Sequence, residues 1–240
     1  MPAPPETFAS SDTRTNLAPP GSIVTSGVHG ISGTRQGNGM LLDEVSLEHL
    51  QMIVAATVHL GWIFFVGIFA ARKAPPRRRE TQRAAASIAG IVIQGAAYVV
   101  IGVLRRPAFT PIVPMPAPVA VALAAAVVCL TGLSVWTVKR AVDTLGKQWS
   151  LAARLVEGHT LITEGPYKLV RHPIYSGMLG MLIATSLAFS RWYALPAGLA
   201  FFALGTLIRV RSEERLLKQS FPGEYAAYAA RVRAVIPGVL

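Results

Sequence analysis

Past residue 47, the chain alternates between long apolar runs and short polar breaks, and the runs are the length of a bilayer. A membrane-crossing helix needs about 20 mostly apolar residues. Residues 50–71 (beginning LQMIVAATVHLGWIFF), 84–104 (AAASIAGIVIQGAAYVVIGVL) and 117–138 (APVAVALAAAVVCLTGLSVWTV) meet that length without one charged side chain. Two shorter runs follow, 173–190 and 192–210, separated by Arg191 alone. That spacing predicts a tight helical hairpin with Arg191, Trp192 and Tyr193 at an interface. Pro196 falls in the first turn of the last run, where its missing N–H costs little. The pattern predicts an all-α integral membrane protein of about five transmembrane helices, three in residues 48–138 and a hairpin at 173–210.

Residues 1–47 are rich in Pro, Gly, Ser and Thr. They read as a disordered segment or a cap over the membrane part. They lack a basic start followed by an apolar core, so no signal peptide is expected.

Composition agrees with the pattern. Of the 240 residues, 52% are hydrophobic and 15% charged, against about 25% charged in soluble domains. The formal charge is +11, but the basic residues flank apolar runs and build no separate basic domain, which argues against nucleic acid. Their distribution predicts orientation. Residues 72–83, 139–172 and 209–240 hold six Lys or Arg each, eighteen against five on the opposite side. The positive-inside rule then puts the N-terminus outside and the C-terminus in the cytoplasm. The lone Cys129 excludes an intrachain disulfide, and no spacing resembles a metal site.

Candidate chemistry concentrates between 146 and 237. His172 precedes Pro173, which biases it to extended backbone and makes Pro173 a fitting first residue of a helix. Arg171 and His172 beside that helix start suit an anion, or form a basic anchor at the interface. Gly177 and Gly180 admit either a ligand or a close helix neighbour. Arg209 and Glu213, four apart, share one helical face, either as a binding pair for an ammonium or sulfonium ligand or as a solvated ion pair. Phe221, Tyr225, Tyr228 and Val232 follow a 4, 3, 4 spacing that reads as an amphipathic helix on the cytoplasmic membrane surface.

The run HTLITEGPYKLVRHPIYSG, then SEERLL, then FPGEYAAYAARV and a closing IP, in this order and with an apolar hairpin between, resembles the isoprenylcysteine carboxyl methyltransferase family. That family is part of a wider group that includes membrane phospholipid N-methyltransferases. The resemblance covers about 146 to 237. It implies a methyltransferase core in residues 139–240, with a cytoplasmic cofactor pocket and a C-terminal amphipathic helix. It implies S-adenosylmethionine as cofactor, S-adenosylhomocysteine as product, and a lipidic substrate reaching the site from the bilayer. Cofactor contacts would fall on His159, Thr160, Leu161, Ile162, Tyr167, His172, Pro173, Ile174, Tyr175 and Glu213. Arg209 would meet the substrate carboxylate, so Arg209, Glu213 and His172 form the expected catalytic set. An ionised carboxylate needs no general base, and catalysis would rest on alignment and exclusion of water. A phospholipid N-methyltransferase is the alternative. An NADPH-dependent sterol-type reductase shares RHP-x-Y-x-G, but its usual RHPNYxGE has Ile174 and Met178 in place of Asn and Glu here. A non-enzymatic membrane factor is the remaining alternative.

Overall fold

The computed structural model describes residues 34–71, 80–83, 86–150, 154–156 and 160–237. Each apolar run forms a helix: α1 (Thr34–Ala70), α2 (Ala86–Val103), α3 (Ala117–Leu145), α4 (Pro173–Phe189) and α5 (Ala194–Ser220), followed by α6 (Pro222–Arg231). Four of them have the length and hydropathy of a membrane span, with the α1 span running Ser46–Ala70. α4 is shorter at 17 residues, about 26 Å at the usual helical rise. α5 has 27 residues, roughly 40 Å, so it outruns a hydrocarbon layer of about 30 Å. Its last turns, RSEERLLKQS, are polar helix formers that carry the helix beyond the apolar run. A proline ends it: Phe221, the residue before Pro222, closes α5 and opens α6 with φ −134° and ψ 59°.

α4 is the hub. It contributes to all three buried clusters, packing against α1 and α3 through Met181 and Ala184 and against α2 and α5 through Leu182. In lipid, helices gain little from apolar burial and associate through close packing of small residues. The two glycines of α4 do this. A Cβ on Gly177 would lie 2.9 Å from the Ser134 carbonyl oxygen, and one on Gly180 2.1 Å from Ser134 Oγ. Of the two readings the sequence left open for this pair, helix packing against α3 is the one the structure bears out.

Opposite the basic side, Arg106 donates to the carbonyls of Leu187, Ala188, Ser190 and Thr110. It thereby caps the otherwise unpaired C-terminal carbonyls of α4. On the basic side, β1 (Glu80–Arg83) pairs antiparallel with β2 (Arg154–Val156). This short ribbon is an addition to the all-helical expectation. It joins the connection after α1 to the connection after α3 and so holds both on one side.

Candidate active site

His172 caps α4 and Pro173 opens it, as the X-Pro pattern predicts. Arg171 and His172, beside that helix start, are both engaged by other groups of the protein. The Arg171 guanidinium donates to Glu214 Oε1 from Nε at 3.0 Å and from Nη2 at 2.7 Å, and to the carbonyls of Ala229 and Val232. The backbone N–H groups of Arg171 and His172 donate to the carbonyls of Arg233 and Ala234, both at 2.8 Å. Ser176 Oγ donates to the Val235 carbonyl. Residues 232–235 thus run as a strap across the start of α4.

His172 stands between two carboxylates, with Nδ1 3.2 Å from Glu213 Oε2 and Nε2 3.4 Å from Glu214 Oε1. Only the imidazolium can donate from both nitrogens. Burial opposes the charged form, but the hydrogen bonds to Glu213 and Glu214 outweigh it and hold the pKa above the ordinary histidine value. The ring stacks on Tyr175 at 5.6 Å, and Tyr175 Oη donates to Glu213. Arg209 lies over the other part of this group, its guanidinium carbon 4.9 Å from the Tyr175 ring centroid and Nη2 3.8 Å from Glu213 Oε1. The i, i+4 spacing on α5 therefore faces a packed cluster and not solvent. Arg209 is 7% exposed, so a solvated ion pair is excluded.

These groups form one wall of a cavity of about 370 Å³. Thr160, Leu161, Ile162, Tyr167, His172, Ile174, Tyr175, Arg209 and Glu213 all line it. Pro173 is buried behind it and serves the helix start. His159 lies outside the described residues. The loop holding Thr160 is clasped by Gln148, whose Oε1 accepts from the Thr160 N–H at 2.8 Å and whose Nε2 donates to its hydroxyl at 2.9 Å. Gly165 turns this loop with φ +58°, where a Cβ would press on Thr144 Oγ1 at 3.0 Å.

The opposite wall comes from α1 and α2. Phe65, Phe69 and Tyr98 line it, with Trp149 from the connection after α3; Trp62 meets Phe65 and Tyr98 edge to face, Phe65 meets Phe69 likewise, and Trp149 lies tilted against Phe69, all at 5.3–5.4 Å between ring centroids. Gln94 lies in this wall and points to Arg209. Sequence reasoning missed it, although a lone amide inside an uncharged span is a functional signal of its own. Tyr225 and Tyr228 also correct an expectation. Both are buried and line the cavity; Tyr228 Oη donates to the Tyr167 carbonyl at 2.6 Å. Burial pushes the Tyr228 phenol up to about 12. It also raises Tyr167, with the Glu213 carboxylate adding to the effect. Both phenols stay neutral donors at neutral pH. Among the described residues, no His, Cys, Asp and Glu gather as a metal site.

The model of the "Isoprenylcysteine carboxyl methyltransferase (ICMT) family" matches residues 120–219. Residues 120–219, 100 of the 240, are thus similar to this family. The same region is similar to "Protein-S-isoprenylcysteine O-methyltransferase B" of Arabidopsis thaliana, 35% identical over 107 residues, 42% of this chain and 52% of the relative. It is also similar to "Cobalt-zinc-cadmium resistance protein CzcN" of Cupriavidus metallidurans, 39% identical over 102 residues, 39% of this chain and 44% of the relative. A "Probable protein-S-isoprenylcysteine O-methyltransferase" of Oryza sativa subsp. indica is 34% identical over 101 residues, 41% and 53% of the two chains. The chain thus spans about half the length of the curated relatives it matches. The family segment takes in α4, α5 to Gln219 and most of α3. It leaves out α1, α2 and α6, and with them the aromatic wall apart from Trp149, Gln94 and the two tyrosines.

Proposed function

We propose that the protein is an S-adenosylmethionine-dependent methyltransferase that O-methylates the carboxylate of a lipid-borne acceptor at the cytoplasmic face of the membrane. The observation that carries the reading is the charge balance at the cavity. Three cationic groups, Arg171, His172 and Arg209, face two carboxylates, Glu213 and Glu214. Arg171 and, at 3.9 Å, Lys218 answer Glu214, His172 bridges both carboxylates and Arg209 faces Glu213 at 3.8 Å, so the group as a whole keeps a positive excess for an anionic acceptor.

The cavity also suits the donor. S-adenosylmethionine, when bound, supplies a methyl group on a positively charged sulfur. Glu213 is the carboxylate placed to meet its cationic groups, while Tyr167, Leu161 and Ile162 offer apolar surface and the Gln148–Thr160 clasp fixes the loop beside them. Arg209 orients the acceptor carboxylate, which is already ionised and needs no base. The aromatic wall excludes water from the reacting atoms and takes the apolar part of the acceptor.

An amine acceptor is less well served. It must lose a proton, yet Glu213 is already engaged by His172, Tyr175 and Arg209 and Glu214 by Arg171, His172 and Lys218, and the phenols of Tyr167 and Tyr228 are pushed up. The names of two plant relatives point the same way for those proteins. Transfer of labelled methyl into a small prenylated thiol acid, but not into phosphatidylethanolamine, is the expected result; the reverse preference sinks the O-methylation reading. Glu213→Ala should weaken donor affinity about tenfold or more, and Arg209→Ala should lower acceptor turnover while largely sparing donor affinity. Isothermal titration with the donor and steady-state rates separate the two.

A further inference from the structure

Gln94 is the amide in the middle of an otherwise apolar α2, and it is 1% exposed. A polar side chain at that depth is costly unless its partners are fixed. Its partners are unambiguous. Nε2 donates to Thr206 Oγ1 at 2.7 Å, and Oε1 accepts from Arg209 Nη1 at 3.3 Å. An arginine has no acceptor, so the amide oxygen must be the end that faces it. Two glycines bring the helices close enough for this contact. A Cβ on Gly90 would lie 2.5 Å from Arg209 Cγ, and one on Gly205 2.7 Å from the backbone nitrogen of Gln94. The α2–α5 seam is thus shaped around the Arg209 side chain.

We propose that Gln94 is a positioning and specificity residue: it holds the Arg209 guanidinium at the cavity with a neutral acceptor, so that Arg209 keeps its charge for the carboxylate of the incoming acceptor. This rests on the O-methylation reading above. Arg209 already faces the Glu213 carboxylate at 3.8 Å; a second carboxylate, at position 94, would hold the guanidinium equally well and cancel the charge that the acceptor needs. The amide orients without neutralising. Thr206 contributes by pinning the amide nitrogen, which stops the side chain from turning its donor end toward the guanidinium. The device lies on α2 and α5, and its α2 half is outside residues 120–219.

The test compares binding of N-acetyl-S-farnesylcysteine with that of its uncharged carboxamide, using the full chain in nanodiscs. Wild-type protein should favour the acid about tenfold or more. Gln94→Glu should abolish that preference, while S-adenosylhomocysteine affinity stays within about twofold. Gln94→Met, which keeps the shape and removes both hydrogen bonds, should lower kcat with little change in donor affinity; Thr206→Val should move the same way by less. An acid preference untouched by Gln94→Glu overturns the proposal. So does a parallel loss of acid, amide and donor binding in Gln94→Glu and Gln94→Met, which marks a purely structural residue. The methyltransferase reading fails separately, by absence of labelled methyl transfer in wild-type protein, because the acid-against-amide comparison requires no turnover.

Discussion

His172 bridges two carboxylates through both ring nitrogens, and this makes it the residue whose charge sets the shape of the cavity wall. Its folded-state pKa lies above the ordinary value of about 6.5. The stabilisation it gives is therefore fully present below about pH 6.5 and is lost as pH rises through the higher folded-state pKa. Thermal unfolding in detergent, followed from pH 6 to 9, should show the midpoint falling on the alkaline side. His172→Gln should flatten that slope, and an unchanged slope removes His172 as its source. Arg171, with its side chain 14% exposed, is the other fixed cation. Arg171→Met leaves Glu214 with a poorly compensated charge and three carbonyl or carboxylate acceptors without their donor, which should cost about 3 kcal/mol. Lys in its place should recover little, since a single ammonium cannot reach Glu214 and the carbonyls of Ala229 and Val232 together.

At the scale of elements, the helix seams differ in how much room they leave. Gly177 meets a backbone carbonyl of α3, whereas Gly95 and Gly102 of α2 meet nothing within 4 Å. Gly177→Ala should destabilise by about 1–3 kcal/mol through overpacking. Gly102→Ala should be neutral or stabilising by up to about 1 kcal/mol through helix propensity. Unfolding midpoints of the two variants, measured side by side, decide this. The helices themselves were legible because each apolar run ends at charge or proline, as α4 does between Pro173 and Arg191. The end of α5 was less so: hydropathy stops near Val210, while the helix runs on to Ser220 because RSEERLLKQS has helix-forming residues but no apolar face long enough to signal a span. The tyrosines of α6 were legible as a stripe and misplaced in space, because an amphipathic pattern records that one face is covered without recording what covers it. Phe65, Phe69 and Tyr98 carried no signal for a similar reason. An aromatic side chain in an apolar span reads the same whether it faces lipid or a cavity.

The whole molecule divides the work of the cavity between two parts of the chain. The family-matched segment supplies Arg209, Glu213, His172, Trp149 and the loop at Thr160; α1 and α2 supply Phe65, Phe69, Tyr98 and Gln94. On the proposed reading, α1 and α2 would add to the acceptor side a surface that the family-matched segment lacks. Phe69→Ala removes a wall residue that touches Phe65 and Trp149. It should raise acceptor KM several-fold while leaving S-adenosylhomocysteine affinity near wild type; a matched loss of both would show that the wall serves the donor as well. The same division gives a topology test. A cytoplasmic reporter joined after Leu240 should be active if the basic connections face the cytoplasm, and one active only outside the cell overturns the orientation.

The strap at 232–235 has a consequence for how the protein is made. It closes over Arg171, His172 and Ser176, residues translated some sixty positions earlier. Every span is synthesised before the segment that closes the Arg171 clamp, so the helices can enter the bilayer before that clamp forms. A nascent chain arrested before Val232 should insert and pack its helices, yet leave the carbonyl ends of the Arg171 clamp missing. The clamp would then close as a late, single event in the life of each chain, after the membrane has already accepted it.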